Sequence, residues 1–163
     1  MSKSVAITTF LLATMSVSAC APPLGPLLGP SQAEQNTQGV VSMAKQAVDL
    51  GYYVNAERLL AQYVYRNKAG ELKLRYFGLS GEIRKEAIDT VVRLLWETGR
   101  DDTLKQFADD YLSGDEYQTT LCRISERQAS YEQAYQCWNR MGEVDRAERV
   151  IRTEAAIRIL GTP

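Results

Sequence analysis

Apolar residues recur along most of this chain at intervals of three and four. Ile88, Val91, Val92 and Leu95 follow the i, i+3, i+4, i+7 stripe of an amphipathic helix, and Ala56, Leu59, Leu60 and Tyr63 repeat it. No comparable run alternates with a period of two, so strands are not expected. Four of the five prolines fall between residues 22 and 30 and the fifth is Pro163, which leaves residues 31–162 free of the residue that most disrupts helices. The pattern predicts helices over 37–50, 53–66, 82–98, 102–112, 116–127, 130–141 and 144–159, with a short one near 71–78. Their short connections pair them as antiparallel hairpins, and the expected fold class is all-α.

Three of the connections look alike when aligned on Gly51, Gly99 and Gly142. Each carries a small or aliphatic residue five positions on, at Ala56, Leu104 and Ala147, where two helices must approach closely. The run Gly142-Glu143-Val144-Asp145-Arg146-Ala147 resembles the Gly-Asp-Tyr-x-x-Ala turn of tetratricopeptide and Sel1-like helical repeats. That resemblance implies a short tetratricopeptide-like solenoid over residues 36–160. The glycines are 48 and 43 residues apart, unlike the repeat of about 34 in that family, and no proline closes a repeat. Helices near 71–78 and 116–127 would fill the extra length, and a compact helical bundle that merely uses glycine turns is the alternative.

The N-terminus reads as an address. Lys3 precedes an apolar run from Val5 to Met15, and small residues follow at Ser16, Ser18 and Ala19, the order of a secretory signal peptide over 1–19. Val17-Ser18-Ala19-Cys20 resembles a bacterial lipobox, which implies cleavage before Cys20, lipidation of its thiol and acylation of the new amino terminus. Several acyl chains would anchor the protein firmly. Ala21 resembles the signal for outer-membrane sorting, with the body in the periplasm. An ordinary secreted protein cut near Ala19 is the alternative. Residues 20–35, rich in proline and glycine, read as a tether.

Composition narrows the chemistry. The chain is 45% hydrophobic and 24% charged with net charge -1, and loss of residues 1–19 makes that -2. Neither nucleic acid nor an anionic-lipid patch is expected as a partner. Histidine is absent, which removes the usual general base and the commonest transition-metal ligand. Asp101-Asp102, Asp109-Asp110 and Asp115-Glu116 are adjacent pairs that do not face each other on a helix, and the first reads as a helix start. No phosphate-binding glycine loop or EF-hand spacing occurs. An enzyme is not expected, nor a cofactor or a metal.

Besides Cys20 the chain has Cys122 and Cys137. Export would place both in an oxidising compartment. In a hairpin turning near Ala129, Cys122 lies seven residues before the turn and Cys137 eight after it, so they sit at similar heights on facing helices. A disulfide is expected, with two buried thiols as the alternative. Tyrosines concentrate at Tyr52, Tyr53, Tyr63 and Tyr65 on the first hairpin, as binding surfaces often do, or as ring fillers of a small core.

In a tetratricopeptide-like hairpin the first helix lines a groove at positions thirteen, ten, six and three before the turn glycine. On that resemblance the groove residues are Gln38, Val41, Lys45 and Val48, then Glu86, Asp89, Arg93 and Trp96, then Ala129, Glu132, Gln136 and Asn139. The strongest partner-binding candidates are Lys45, Asp89, Arg93, Trp96, Glu132, Gln136 and Asn139, with Trp96 as anchor. The layout resembles lipid-anchored adaptors that bind proteins during assembly of envelope machines such as secretion, conjugation or pilus systems. A peptidoglycan-acting or peptidoglycan-binding lipoprotein is the alternative from another class.

Overall fold

Ser31 opens the first helix through a capping box. Its hydroxyl accepts the Glu34 N–H at 3.3 Å while the Glu34 carboxylate accepts the Ser31 N–H at 2.9 Å. The computed structural model describes residues 31–75 and 78–161. The signal peptide, Cys20 and the proline-rich part of the tether lie outside the described residues. Helix α1 spans Gln32–Asp49, five residues longer at its start than the apolar stripe suggests, because the Ser-x-x-Glu box satisfies its first amides.

Helix α2 covers only Tyr53–Leu60. The expectation of helix through residue 66, and of no strands, is corrected here. Strand β1 (Val64–Arg66) pairs antiparallel with β2 (Leu72–Leu74), with Val64 opposite Leu74 and Arg66 opposite Leu72. The short helix expected near 71–78 is therefore replaced by a strand at 72–74, and residues 76 and 77 lie outside the described set. Tyr63-Val64-Tyr65 is β-branched and aromatic, and suits a pleated surface. Asn67 then closes the loop, its side-chain oxygen accepting the Ala69 and Glu71 amides at 2.9 Å each, with Gly70 at φ 83°.

The hairpin is held to the helices behind it. Tyr111 Oη accepts the Leu74 N–H at 2.8 Å, and Lys73 reaches Asp110 at 2.5 Å and Glu71 at 3.2 Å. The hydrogen bond to Asp110 is the main reason the Lys73 pKa is pushed up to about 12.

The remaining elements are α3 (Gly81–Glu97), α4 (Asp101–Tyr111), α5 (Gly114–Arg127), α6 (Tyr131–Arg140) and α7 (Val144–Leu160). The described chain is all-α apart from the small hairpin. Packing runs between neighbours: α1 on α2 and α3, α3 on α4, α4 on α5, α5 on α6, and α6 on α7. That is the order of stacked helical hairpins rather than of a bundle closed around one axis.

One turn is used four times. Gly51, Gly99, Ala129 and Gly142 all lie in the left-handed region, at φ 78°, 67°, 56° and 75°. In each case the following amide bonds the carbonyl five residues back: Tyr52 to Ala47, Arg100 to Leu95, Ser130 to Ser125, and Glu143 to Trp138, at 2.7 to 3.0 Å. This bond closes the helix C-terminus as in a Schellman motif. Five residues after each turn residue stand Ala56, Leu104, Ala134 and Ala147, all buried. The fourth copy is hidden in the sequence because Ala129 replaces the glycine. A left-handed alanine is strained, so Ala129→Gly is expected to stabilise the protein by about 1 kcal/mol, read as a rise in the denaturant midpoint.

Two cores result. One joins α1 to α4 with the hairpin and Ile124 of α5, around Leu60, Leu95, Leu104 and Phe107. The other joins α5, α6 and α7 around Cys122, Ala134, Cys137, Trp138, Ala147 and Val150.

Candidate functional site

Cys122 and Cys137 are disulfide-bonded, with Cα atoms 5.4 Å apart. The Ala129 turn brings them level on facing helices, as the residue count from the turn requires. Tyr63 is core, at 8% exposure, and Tyr53 packs half-buried against it. Tyr52 and Tyr65 are exposed, with the Arg75 guanidinium 5.3 Å above the Tyr65 ring. The four tyrosines thus form no single surface.

The α1 groove positions divide. Val41 and Val48 are buried in the first core and cannot contact a partner, whereas Gln38 and Lys45 are exposed. Two neighbours, α2 and α3, pack on α1, so its buried sector is wide. Its open stripe is Gln38, Ser42, Lys45 and Asp49. Ser42 donates to Glu86 of α3 at 3.2 Å, Lys45 lies 3.7 Å from Asp49, and Arg93 pairs with Asp49 across the helices.

On α3 the expected set shares one face. Asp89 feels partial desolvation first and then the Glu116 carboxylate of α5, which together hold its pKa above the usual carboxylate range against Lys85. Trp96 is not an open anchor. It packs half-buried on the first core, and the Arg123 and Arg127 guanidiniums of α5 stack on its ring at 4.1 and 3.7 Å. Arg127 also donates to the Trp96 carbonyl at 2.6 Å and pairs with Asp101. The indole therefore joins α3 to α5, and only part of it remains to line a recess of about 230 Å³ with Val92, Arg93, Leu104, Thr120 and Arg123. Trp96→Ala is accordingly expected to cost about 1–2 kcal/mol through two lost cation–π contacts, measured by thermal unfolding.

The third expected set does not join this face. Glu132, Gln136 and Asn139 lie on α6, the second helix of its hairpin. Gln136 is bonded to Glu132 at 3.3 Å and opens into a separate depression with Lys105 and Gln118. Ala129 is the turn itself. The cause is phase: Gly142 links a second helix to the next first helix, whereas Ala129 is the true counterpart of Gly51 and Gly99. The same offsets counted from Ala129 select Glu116, Thr119, Arg123 and Glu126, on α5. Glu116 and Arg123 are the residues found facing Asp89 and Trp96.

One face thus runs from α1 through α3 to α5, and Arg123 carries it on toward Arg146 and Arg149 of α7, with which it lines a further depression. Among the described residues no cluster of cysteine and carboxylate side chains could hold a metal ion, and no helix is long and apolar enough to cross a membrane. No protein-family model, curated protein or solved structure matches this chain.

Proposed function

We propose that the protein is a lipid-anchored adaptor on the periplasmic side of an outer membrane, and that it binds a protein partner during assembly of an envelope machine. The reading joins two supports of different kind. The signal peptide and the lipobox resemblance at Cys20 supply the anchor. The observation that carries the binding role is the face formed by α1, α3 and α5, where polar side chains of α3 and α5, Arg93, Glu97, Thr120 and Arg123, surround the recess beside Trp96. Such a groove, polar at the edges and apolar at one point, suits an extended or helical protein segment.

The test has two arms. Cys20→Ser should release the protein from the membrane fraction or leave an uncleaved precursor; retention after a high-salt wash would remove the anchor. A photo-crosslinking residue placed at Arg93 or Thr120 should trap a discrete partner in the native envelope, while one placed at Gln133, in the separate depression with Lys105 and Gln118, should not. Equal trapping at all three positions, or none, would end the adaptor reading.

A further inference from the structure

The depression shared by α5, α6 and α7 holds about 330 Å³ and is lined by Thr119, Arg123, Glu126, Trp138, Arg146 and Arg149. Three arginines and a single carboxylate line it, and none of the three guanidiniums lies within ion-pair distance of that carboxylate. That carboxylate, Glu126, is already engaged by the indole N–H of Trp138. Arg146 stacks on the same indole at 4.7 Å and lies 3.6 Å from Glu143 outside the recess. Neither Arg123 nor Arg149 has a carboxylate within ion-pair distance among the described residues, whereas Arg93, Arg100 and Arg127 each have one. A protein of net negative charge has kept these cations together and left their forks open.

We propose that this recess binds carboxylate side chains of an acidic segment of a protein partner, with an apolar residue of the same segment entering the recess beside Trp96. The inference rests on the adaptor reading and names the chemistry that the face would recognise. Two open guanidinium forks match carboxylates, which they can hold bidentately. The presence of Glu126 leaves an excess charge that one or two carboxylates would neutralise. Arg123 lines both recesses, so the cationic and apolar parts are adjacent and share one wall. A free phosphate has nothing to place in the apolar part; a peptide has.

The experiment uses the exported, oxidised protein and a fluorescein-labelled peptide of one leucine followed by four aspartates, with an asparagine version as its partner. Fluorescence anisotropy at low salt should show saturable binding of the aspartate peptide and at least about tenfold weaker binding of the asparagine one. Arg149→Gln, at an exposed position, should weaken the aspartate peptide about tenfold with an unchanged thermal midpoint, and Lys105→Gln should not. Equal binding of the two peptides, or indifference to Arg149→Gln, overturns the proposal. So does arginine-dependent binding of inorganic phosphate or phosphatidylglycerol vesicles that exceeds that of the aspartate peptide. If crosslinking at Thr120 traps a partner while the unsubstituted protein does not bind the aspartate peptide, the acidic segment is wrong and the adaptor stands. Peptide binding without any crosslinked partner leaves the anion site and removes the adaptor.

Discussion

Replacing Trp138 with alanine is expected to cost about 3–5 kcal/mol, the largest effect of any single substitution considered for this protein. Trp138 is 1% exposed, and its companions in the second core are small: two cysteines, two alanines and one valine. Tyr131, Tyr135 and Met141 only flank it. The buried companions are too small to fill the volume left behind, and the flanking side chains could do so only by giving up their present packing. The truncation also strips the indole partner from Glu126 and from Arg146. Urea unfolding followed by far-ultraviolet circular dichroism should show a midpoint loss concentrated in α5 to α7, with amide exchange there accelerating before that of α1 to α4. A loss below about 1 kcal/mol would mean that this core does not depend on the indole.

Removing the disulfide should cost nearly as much. Cys122 and Cys137 are separated by 15 residues, and a loop of that length corresponds to about 3 kcal/mol of unfolded-state entropy. The double variant Cys122→Ala, Cys137→Ala should unfold at a lower temperature and lose its response to dithiothreitol, while the parent protein falls toward the variant when reduced. An unchanged midpoint on reduction would show that the bridge adds nothing. The effect should again fall on α5 to α7, because the first core contains no cysteine.

Much of the fold is legible in the sequence wherever a helix is long, periodic and bounded by glycine. The stripes through 82–98, 102–112 and 144–159 lie within one residue of α3, α4 and α7. The start of α1 is masked by the neighbouring prolines, although Ser31-Gln32-Ala33-Glu34 spells a capping box to a reader who looks past them. The β-hairpin escapes because three-residue strands are too short for a period of two to stand out from a helical background. Asn67 and Gly70 between Tyr65 and Leu72 are its only local sign. For the candidate site the offsets from the turn select one face of α3 but two core residues, Val41 and Val48, on α1, and the third turn is taken out of phase. The turn near Ala129 is visible in the spacing of the cysteines, but an alignment on glycines passes over it, so Gly142 takes the place of Ala129 and the reading slides from α5 to α6.

Helix α5 looks in two directions at once. Ile124 belongs to the core of the first half and Cys122, two residues earlier, to the core of the second. The first half needs no oxidant to be complete, whereas the second is finished only when its sulfurs join. The Trp96 recess is framed by α3, α4 and α5, and the arginine recess by α5, α6 and α7, so loss of the disulfide is expected to loosen the arginine recess more than the other. Redox state is thereby written on one side of a single helix: reduction is expected to loosen the packing around Cys122 and to leave that around Ile124 in place.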